Sequence, residues 1–206
     1  MAMKTELNEQ SLVLLKPDAI QRGLMGEIIS RFEKKGLKLV AVKMVWPTLE
    51  QARDHYSQLE ADMMLLGQRT IDSYREKGME MKKEPLEIAR EIQKRLLRYL
   101  VAGPVLALVI EGAHAIAHVR KIRGATNPLA ADMGTITADL TIDSYFLADP
   151  GERAIRNLVH ASGSVEEAKR EMAIWFKKEE IFAYDLAIEK ILYSSEWEKT
   201  ERKLIR

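Results

Sequence analysis

The sequence contains no cysteine, which excludes disulfides, thiolate nucleophiles and cysteine-ligated metal sites. No apolar run approaches the ~20 residues needed to span a bilayer, and segment 1–10 lacks the apolar core of a secretory signal. The 32 lysines and arginines nearly balance the 31 aspartates and glutamates, so no strongly basic surface indicates a nucleic-acid-binding protein. We therefore expect a cytoplasmic protein with no membrane partner and no specific nucleic-acid partner.

The common nucleotide and metal motifs are missing as well: there is no Walker loop, no G-x-G-x-x-G and no H-E-x-x-H. The sequence is, however, rich in hydrophobic residues. With 47% hydrophobic residues in 206 positions, the chain can bury a sizeable core in a single domain, 1–206.

Hydrophobic patterning and turn residues predict the order of the secondary-structure elements. Short apolar runs predict strands at 11–15, 37–46, 105–110 and 157–160. Apolar spacing and capping residues predict helices over 23–36, after Thr48, from Pro85, and over 114–122, 164–175 and 184–193. Thr48 with Gln51, and Ser164 with Glu167, each match a capping box.

This order predicts an α+β fold, a ferredoxin-like βαββαβ antiparallel sheet covered by helices on one face. Two segments depart from the regular pattern. Residues 60–84 have no clean period, and 143–156 centre on the turn signal Asp149-Pro150-Gly151.

Several side chains with chemical potential occupy distinctive places. Lys16 directly follows a buried strand, and Arg120 ends a helix before a loop rich in small polar residues, 123–135. His160 lies on a predicted strand, and Glu171 lies on the helix that follows it. Taken singly, each has an ordinary explanation as a solvated or packed residue, so none establishes a function alone.

Taken together, these residues resemble the nucleoside diphosphate kinase family. Asn157-x-x-His160-Ala-Ser162-Gly-Ser164, followed by Glu171 and Trp175-Phe176, is similar to that family's active-site segment. The remaining similarities lie at Lys16-Pro17-Asp18, at Tyr56, and at Arg120 with the loop Gly124-Ala-Thr126-Asn127-Pro128. The resemblance covers roughly 10–59, 95–140 and 157–195.

The resemblance implies a reaction and its participants. The γ-phosphoryl group of a nucleoside triphosphate would pass to a nucleoside diphosphate by a ping-pong mechanism through phosphorylated His160. Glu171 would orient the histidine and Lys16 would assist catalysis. Lys16, Tyr56, Arg120, Thr126, Asn157 and Ser162 would bind the nucleotide and its phosphates. The cofactor would be Mg²⁺, held mainly by nucleotide phosphates rather than by protein ligands, and the protein would form a homo-oligomer, a hexamer or tetramer.

This chain also departs from the family pattern. Thr137 stands where the family usually has a second phosphate-binding arginine. Arg153 and Arg156 are the first candidates to replace that charge, and Arg123 is the next. Segments 60–84 and 143–156 are interpreted as insertions, and no base-stacking aromatic residue can be assigned. The other histidines (His55, His114 and His118) are expected to be dispensable for the chemistry.

Two alternatives stay open at this point. The chain could be a phosphohistidine protein that passes its phosphoryl group to protein side chains, which nucleotide exchange assays would distinguish. It could also be a non-enzymatic binding module with a degenerate site, although Lys16, Arg120, His160 and Glu171 are all present.

Overall fold

The structure, a computed structural model, describes residues 7–57, 59–76, 78–194 and Trp197. Four strands form one sheet in the order β2-β3-β1-β4, and every neighbouring pair is antiparallel. The strands are β1 (Asn8–Leu15), β2 (Lys38–Val45), β3 (Val105–Ala113) and β4 (Val159–Ala161). The strand order and the helical connections confirm the predicted α+β, ferredoxin-like fold class.

Helices connect and cover these strands. In chain order they are α1 (Pro17–Gln21), α2 (Met25–Lys34), α3 (Leu49–His55), α4 (Glu60–Glu76), α5 (Pro85–Leu100), α6 (Ala115–Arg123), α7 (Ile136–Leu140), α8 (Tyr145–Ala148), α9 (Val165–Trp175) and α10 (Glu189–Tyr193). Proline begins α1 and α5, where a missing backbone N–H costs nothing. Across the described residues, no helix combines the length and apolarity needed to cross a membrane.

Both faces of the sheet are buried. On β1, Val13 and Leu15 belong to a core cluster with residues of α1, α2 and α6, whereas Leu12 and Leu14 belong to a second cluster with residues of α3, α5 and α9. The expectation that helices cover one face alone is therefore wrong. The physical reason is visible in β1, whose apolar residues are consecutive rather than alternating, as expected for a strand covered on both sides.

The segment 60–84 contains a long helix that the periodicity did not predict. Helix α4 runs for 17 residues and packs against α5. The residue of α4 that is buried is a glycine, Gly67, rather than a large apolar residue. A Cβ at this position would lie 1.8 Å from the Pro85 carbonyl oxygen. Because the two helices meet backbone to backbone, α4 needs no broad apolar stripe, and its sequence shows none.

Three local boundaries differ from the prediction. Strand β4 begins at Val159, because Leu158 has a left-handed φ of 65° that interrupts the extended backbone. In 184–193, only Glu189–Tyr193 is helical. The Ser164 hydroxyl caps α9 by accepting from the Glu167 N–H, but the Glu167 carboxylate accepts from the Gly163 N–H, so the second capping box is incomplete. The box of Thr48 and Gln51 is complete.

Candidate active site

His160 and Glu171 form the centre of the candidate site. His160 lies on the edge strand β4, opposite Leu14 of β1, and Glu171 projects from α9. The His160 Nε2 is 2.9 Å from Glu171 Oε1, and the two side chains are 16% and 1% exposed. With Nε2 held by the carboxylate, Nδ1 is the ring nitrogen left for a reacting group.

Ser162 supports the carboxylate from behind. Its hydroxyl donates to Glu171 Oε2 at 2.6 Å, and the residue is fully buried. Burial raises the pKa of Glu171, while His55, the Ser162 hydrogen bond and the charge of Arg170 act in the opposite direction, in that order. The structure thus places Ser162 beneath Glu171 rather than on the cavity wall, where a phosphate ligand would lie.

A second chain of contacts begins at Lys16, immediately after β1. Its Nζ donates to Asn157 Oδ1 at 2.7 Å, and Asn157 Nδ2 donates to the Thr126 carbonyl at 2.9 Å. Lys16 is 5% exposed, and burial lowers its pKa to about 8. Asn157 therefore links the buried ammonium to the loop that carries Thr126.

The nucleophile candidate opens onto a cavity of about 720 Å³. The predicted site residues on its wall are Lys16, Tyr56, Arg123, Thr126, Arg153, Asn157 and His160. Cationic side chains from other elements, Arg69 and Arg95, also line it, together with the carboxylates of Glu91, Asp149 and Glu167. A cavity of this size with five cations on its wall suits a polyanionic small molecule.

Part of this wall was not predicted from the sequence. Helices α4 and α5 contribute apolar side chains to the cavity wall, Leu66 from α4 and Ile88, Ile92 and Leu96 from α5, and Met81 joins them from the segment between the two helices. The sequence predicts the helix from Pro85, but its apolar spacing did not assign any of these side chains to a cavity wall. Tyr145 of α8 also reaches the cavity, so both irregular segments help to build the site.

The four candidate arginines occupy different places. Arg123, at the end of α6, lines the cavity. Arg153 also lines it, but both of its Nη atoms bind Asp143, at 2.5 and 2.8 Å. Arg156 instead lines a neighbouring cavity that lacks His160. Arg120 is exposed beside the start of α9, where a Cβ added at Gly163 would lie 3.2 Å from its Nη1.

Tyr56 follows α3 and turns its ring toward the site. It lines the cavity, and burial raises the pKa of its hydroxyl. The buried oxygen has no hydrogen-bond partner within the part of the chain that the structure describes. The Tyr56 hydroxyl is therefore neutral, and its hydrogen-bonding capacity is not used by the described residues.

His55, which was expected to be dispensable, lies against the central pair. Its ring centroid is 4.4 Å from that of His160, and its Nδ1 is 3.6 Å from Glu171 Oε1. In the described residues, His55, His160 and Glu171 form the one His/Asp/Glu group compact enough to hold a metal ion, with ligand atoms within 4.8 Å of one another. His114 and His118 lie at the start of α6 and do not line the cavity.

Comparison with known proteins identifies the family of this chain. The sequence model of the family described as nucleoside diphosphate kinase matches residues 9–68 and 82–181. A nucleoside diphosphate kinase from Pyrobaculum aerophilum is 44% identical over 84% of this chain and 97% of the relative. One from Pyrococcus horikoshii is 41% identical over 87% of this chain and 92% of the relative.

Two solved structures share the fold. A crystal structure of an NDP kinase from Pyrobaculum aerophilum has a TM-score of 0.81 and 42% identity, covering 85% of this chain and all of the other. A transition-state mimic of the nucleoside-diphosphate kinase from Borrelia burgdorferi, with bound vanadate and ADP, has a TM-score of 0.76 and 33% identity, covering 90% and 97%. On the family match and these relatives, the chain belongs to the nucleoside diphosphate kinase family.

Proposed function

We propose that this protein transfers the γ-phosphoryl group of a nucleoside triphosphate to a nucleoside diphosphate, with His160 as the intermediate carrier. The observation that carries the proposal is the 2.9 Å contact between His160 Nε2 and the buried Glu171 carboxylate, on the wall of a cationic cavity. This contact selects the tautomer whose lone pair is on Nδ1.

The first half-reaction follows from this tautomer. Burial, and secondarily the charge of Lys16, lowers the pKa of His160, so the ring is neutral near neutral pH and its Nδ1 lone pair is available. Nδ1 forms a bond to the γ-phosphorus while the bond from phosphorus to the β-phosphate oxygen breaks, and the nucleoside diphosphate leaves. The ring becomes positively charged, and Glu171 stabilises that charge through Nε2. A second nucleoside diphosphate then attacks the phosphoryl group and regenerates neutral His160.

The cations of the wall supply the electrostatic part of catalysis. Of the cations, Lys16 and Arg123 have the largest electrostatic effects on His160, and the charge of each lowers the pKa of His160. Together they would neutralise charge on the transferring oxygens. Arg120 of α6, which lies beside Gly163 and not among the residues that line the cavity, would contact a nucleotide phosphate that extends past the wall. Tyr56, Thr126 and Asn157 would donate or accept hydrogen bonds with phosphate and ribose.

The donors present fit a magnesium ion held mainly by the nucleotide. Of the carboxylates on the cavity wall, Asp149 binds Arg95 and Tyr74, and Glu167 accepts from the Gly163 N–H. The compact group of two imidazoles and a carboxylate lacks the oxygen-rich ligand set that Mg²⁺ prefers. Mg²⁺ bound with the substrate would supply positive charge that offsets the charge of the phosphates. The Mg²⁺ requirement and a hexameric or tetrameric assembly belong to the same proposal and rest on the family resemblance. A cytoplasmic location is also proposed, on the sequence features given above.

The direct test is phosphoenzyme formation. Incubation with γ-labelled ATP and Mg²⁺ should give a labelled protein that is stable in base and labile in acid, and a nucleoside diphosphate should remove the label. His160→Gln should abolish labelling, whereas the control His118→Asn should label normally.

Each alternative predicts a different result. A phosphohistidine protein that serves protein side chains would take the label but keep it when a nucleoside diphosphate is added. A degenerate binding module would take no label. Retained labelling in His160→Gln would exclude His160 as the carrier.

A further inference from the structure

His55 is a buried titratable residue that the mechanism above does not use. It ends α3, its side chain is fully buried, and its ring packs edge-to-face against His160 at an interplanar angle of 79°. Trp175 packs on it from another side, with ring centroids 5.7 Å apart. The candidate nucleophile is thus held between Glu171 and a second imidazole.

The hydrogen bond from Trp175 indicates the tautomer of His55. Trp175 Nε1–H donates to His55 Nδ1 at 3.3 Å, so Nδ1 carries a lone pair and the neutral ring carries its proton on Nε2, which has no hydrogen-bond partner among the described residues. Burial first, and then repulsion from a protonated His160 and from the charges of Arg170 and Lys16, lower the pKa of His55 well below 6.5, against the opposing charge of Glu171. His55 is therefore uncharged at neutral pH.

The charge state of His55 affects which histidine the Glu171 carboxylate binds. The same oxygen, Oε1, lies 2.9 Å from His160 Nε2 and 3.6 Å from His55 Nδ1. A protonated His55 would compete for that oxygen. A neutral His55 accepts from Trp175 instead and leaves the carboxylate to His160.

We propose that His55 is a positioning residue for phosphoryl transfer: its ring edge fixes the plane of His160, and its neutral Nδ1 leaves Glu171 to bind His160. The inference rests on the proposed function of His160 as phosphoryl carrier. The three residues are also spaced for a transition metal, but the contacts favour positioning, because the His55 Nδ1 and Glu171 Oε2 lone pairs already accept from Trp175 and Ser162.

Two variants separate the ring from its acceptor atom. His55→Asn offers an acceptor for the Trp175 N–H but removes the ring, and His55→Phe restores a ring edge without the acceptor. In His55→Asn, we expect the single-turnover rate of phosphorylation by MgATP to fall about 10- to 100-fold, the scale of a small misplacement of a reacting group, with KM for ATP changed less than about two-fold. His55→Phe should recover part of that rate. His118→Asn, on α6 and outside the cavity, is the matched control and should behave as wild type.

The second readout does not depend on turnover. The ¹⁵N chemical shifts of the His160 ring in the unliganded protein should report the Nε2–H tautomer in wild type and a mixture of tautomers in His55→Asn. Wild-type phosphorylation kinetics in His55→Asn, or no better rate in His55→Phe than in His55→Asn, would overturn the inference. A wild-type protein that takes no label on His160 would overturn the proposed function as well, so the two failures are distinguishable.

Discussion

The ammonium group of Lys16 is buried, and burial disfavours its charged form. The side chain is 5% exposed, and burial lowers its pKa from 10.5 to about 8, with Asp18 opposing the shift and Arg123 adding to it. Because the folded state releases this proton more easily than the unfolded chain, the contribution of Lys16 to stability improves between about pH 8 and 10.5. Its contribution to catalysis changes in the opposite direction, since the charge is lost over the same range.

The loss of the Lys16 charge predicts that kcat/KM falls at alkaline pH. The value of kcat/KM should fall with a midpoint near pH 8 and be about ten-fold lower one unit above it, because kcat/KM follows the free-enzyme pKa. Arg123→Met removes a like charge and should move the midpoint to higher pH. Both profiles can be measured by nucleotide exchange at subsaturating substrate. A wild-type profile that is flat up to pH 10 would contradict the assignment.

Thr137 explains how Arg123 is held at the cavity. Thr137 is 1% exposed, and its hydroxyl donates to the Arg123 carbonyl at 2.6 Å. The position where the family usually carries an arginine thus anchors the backbone of another arginine. Of the three cations considered from the sequence, Arg123 is the one best supported by these contacts, because Arg153 is bound by Asp143 and Arg156 lines the other cavity.

Replacement of Arg123 should therefore weaken phosphoryl transfer. A charge-assisted hydrogen bond contributes about 1.5–3 kcal/mol, so Arg123→Met should lower kcat/KM by about ten-fold or more. Arg156→Met is the matched control and should stay near wild type. Steady-state kinetics with ATP as donor measure both. A fall in Arg153→Met with none in Arg123→Met would assign the role to Arg153 instead.

At the scale of elements, the α4–α5 pair depends on one glycine. A Cβ on Gly67 would lie 1.8 Å from the Pro85 carbonyl oxygen, which is backbone and cannot rotate away. Alanine at this position must push the helices apart. Since both helices line the cavity, the substrate wall would move with them.

Gly67→Ala should destabilise the protein and weaken nucleotide binding together. Overpacking at a tight contact costs about 1–3 kcal/mol, and KM for the nucleotide should rise while the rate of phosphorylation at saturation changes less. Gly26→Ala on α2 is the control, because nothing lies within 4 Å of the added Cβ; it should be neutral or stabilising by up to about 1 kcal/mol. Urea denaturation and initial-rate kinetics would decide. An unchanged KM in Gly67→Ala would show that the wall does not contact the nucleotide.

The same pair of helices shows where sequence patterns stop being informative. Strands and helices with apolar periodicity, such as β3 and α5, were predicted because burial leaves a repeating trace in the sequence. Helix α4 was missed because its close contact uses a glycine, which leaves no apolar stripe. Likewise, the motif indicated His160 and Glu171, whereas His55 reaches them only through the packing of α3 on α9. A motif contains residues that are near one another in the sequence. Contacts between elements that are distant in the sequence become visible only in the folded structure.

At the scale of the whole molecule, the segment after α9 closes over an edge of the sheet. The Phe182 N–H donates to the Val40 carbonyl at 2.9 Å, and Lys43 binds Glu180. Lys38 joins three parts of the chain: its Nζ is 2.8 Å from Glu111 on β3, 3.1 Å from Glu189 on α10, and donates to the Tyr184 carbonyl at 2.6 Å. Strand β2 would otherwise expose an unpaired edge.

Lys38→Met tests how much this closure contributes to the stability of the molecule. The Lys38 side chain is 7% exposed, and its partners Glu111 and Glu189 are 15% and 10% exposed, so the substitution leaves two poorly hydrated carboxylates without their shared cation. Removing one partner of such a buried group costs about 3 kcal/mol or more. The control is Lys83→Met, whose side chain is 47% exposed beside Glu91, and it should change the free energy of unfolding much less, because water screens a surface ion pair. Urea unfolding followed by circular dichroism gives both values.

Because Lys38 does not line the cavity, the activity per folded molecule should be unchanged. Equal losses in the two variants would mean that the closing segment contributes little beyond its surface charges.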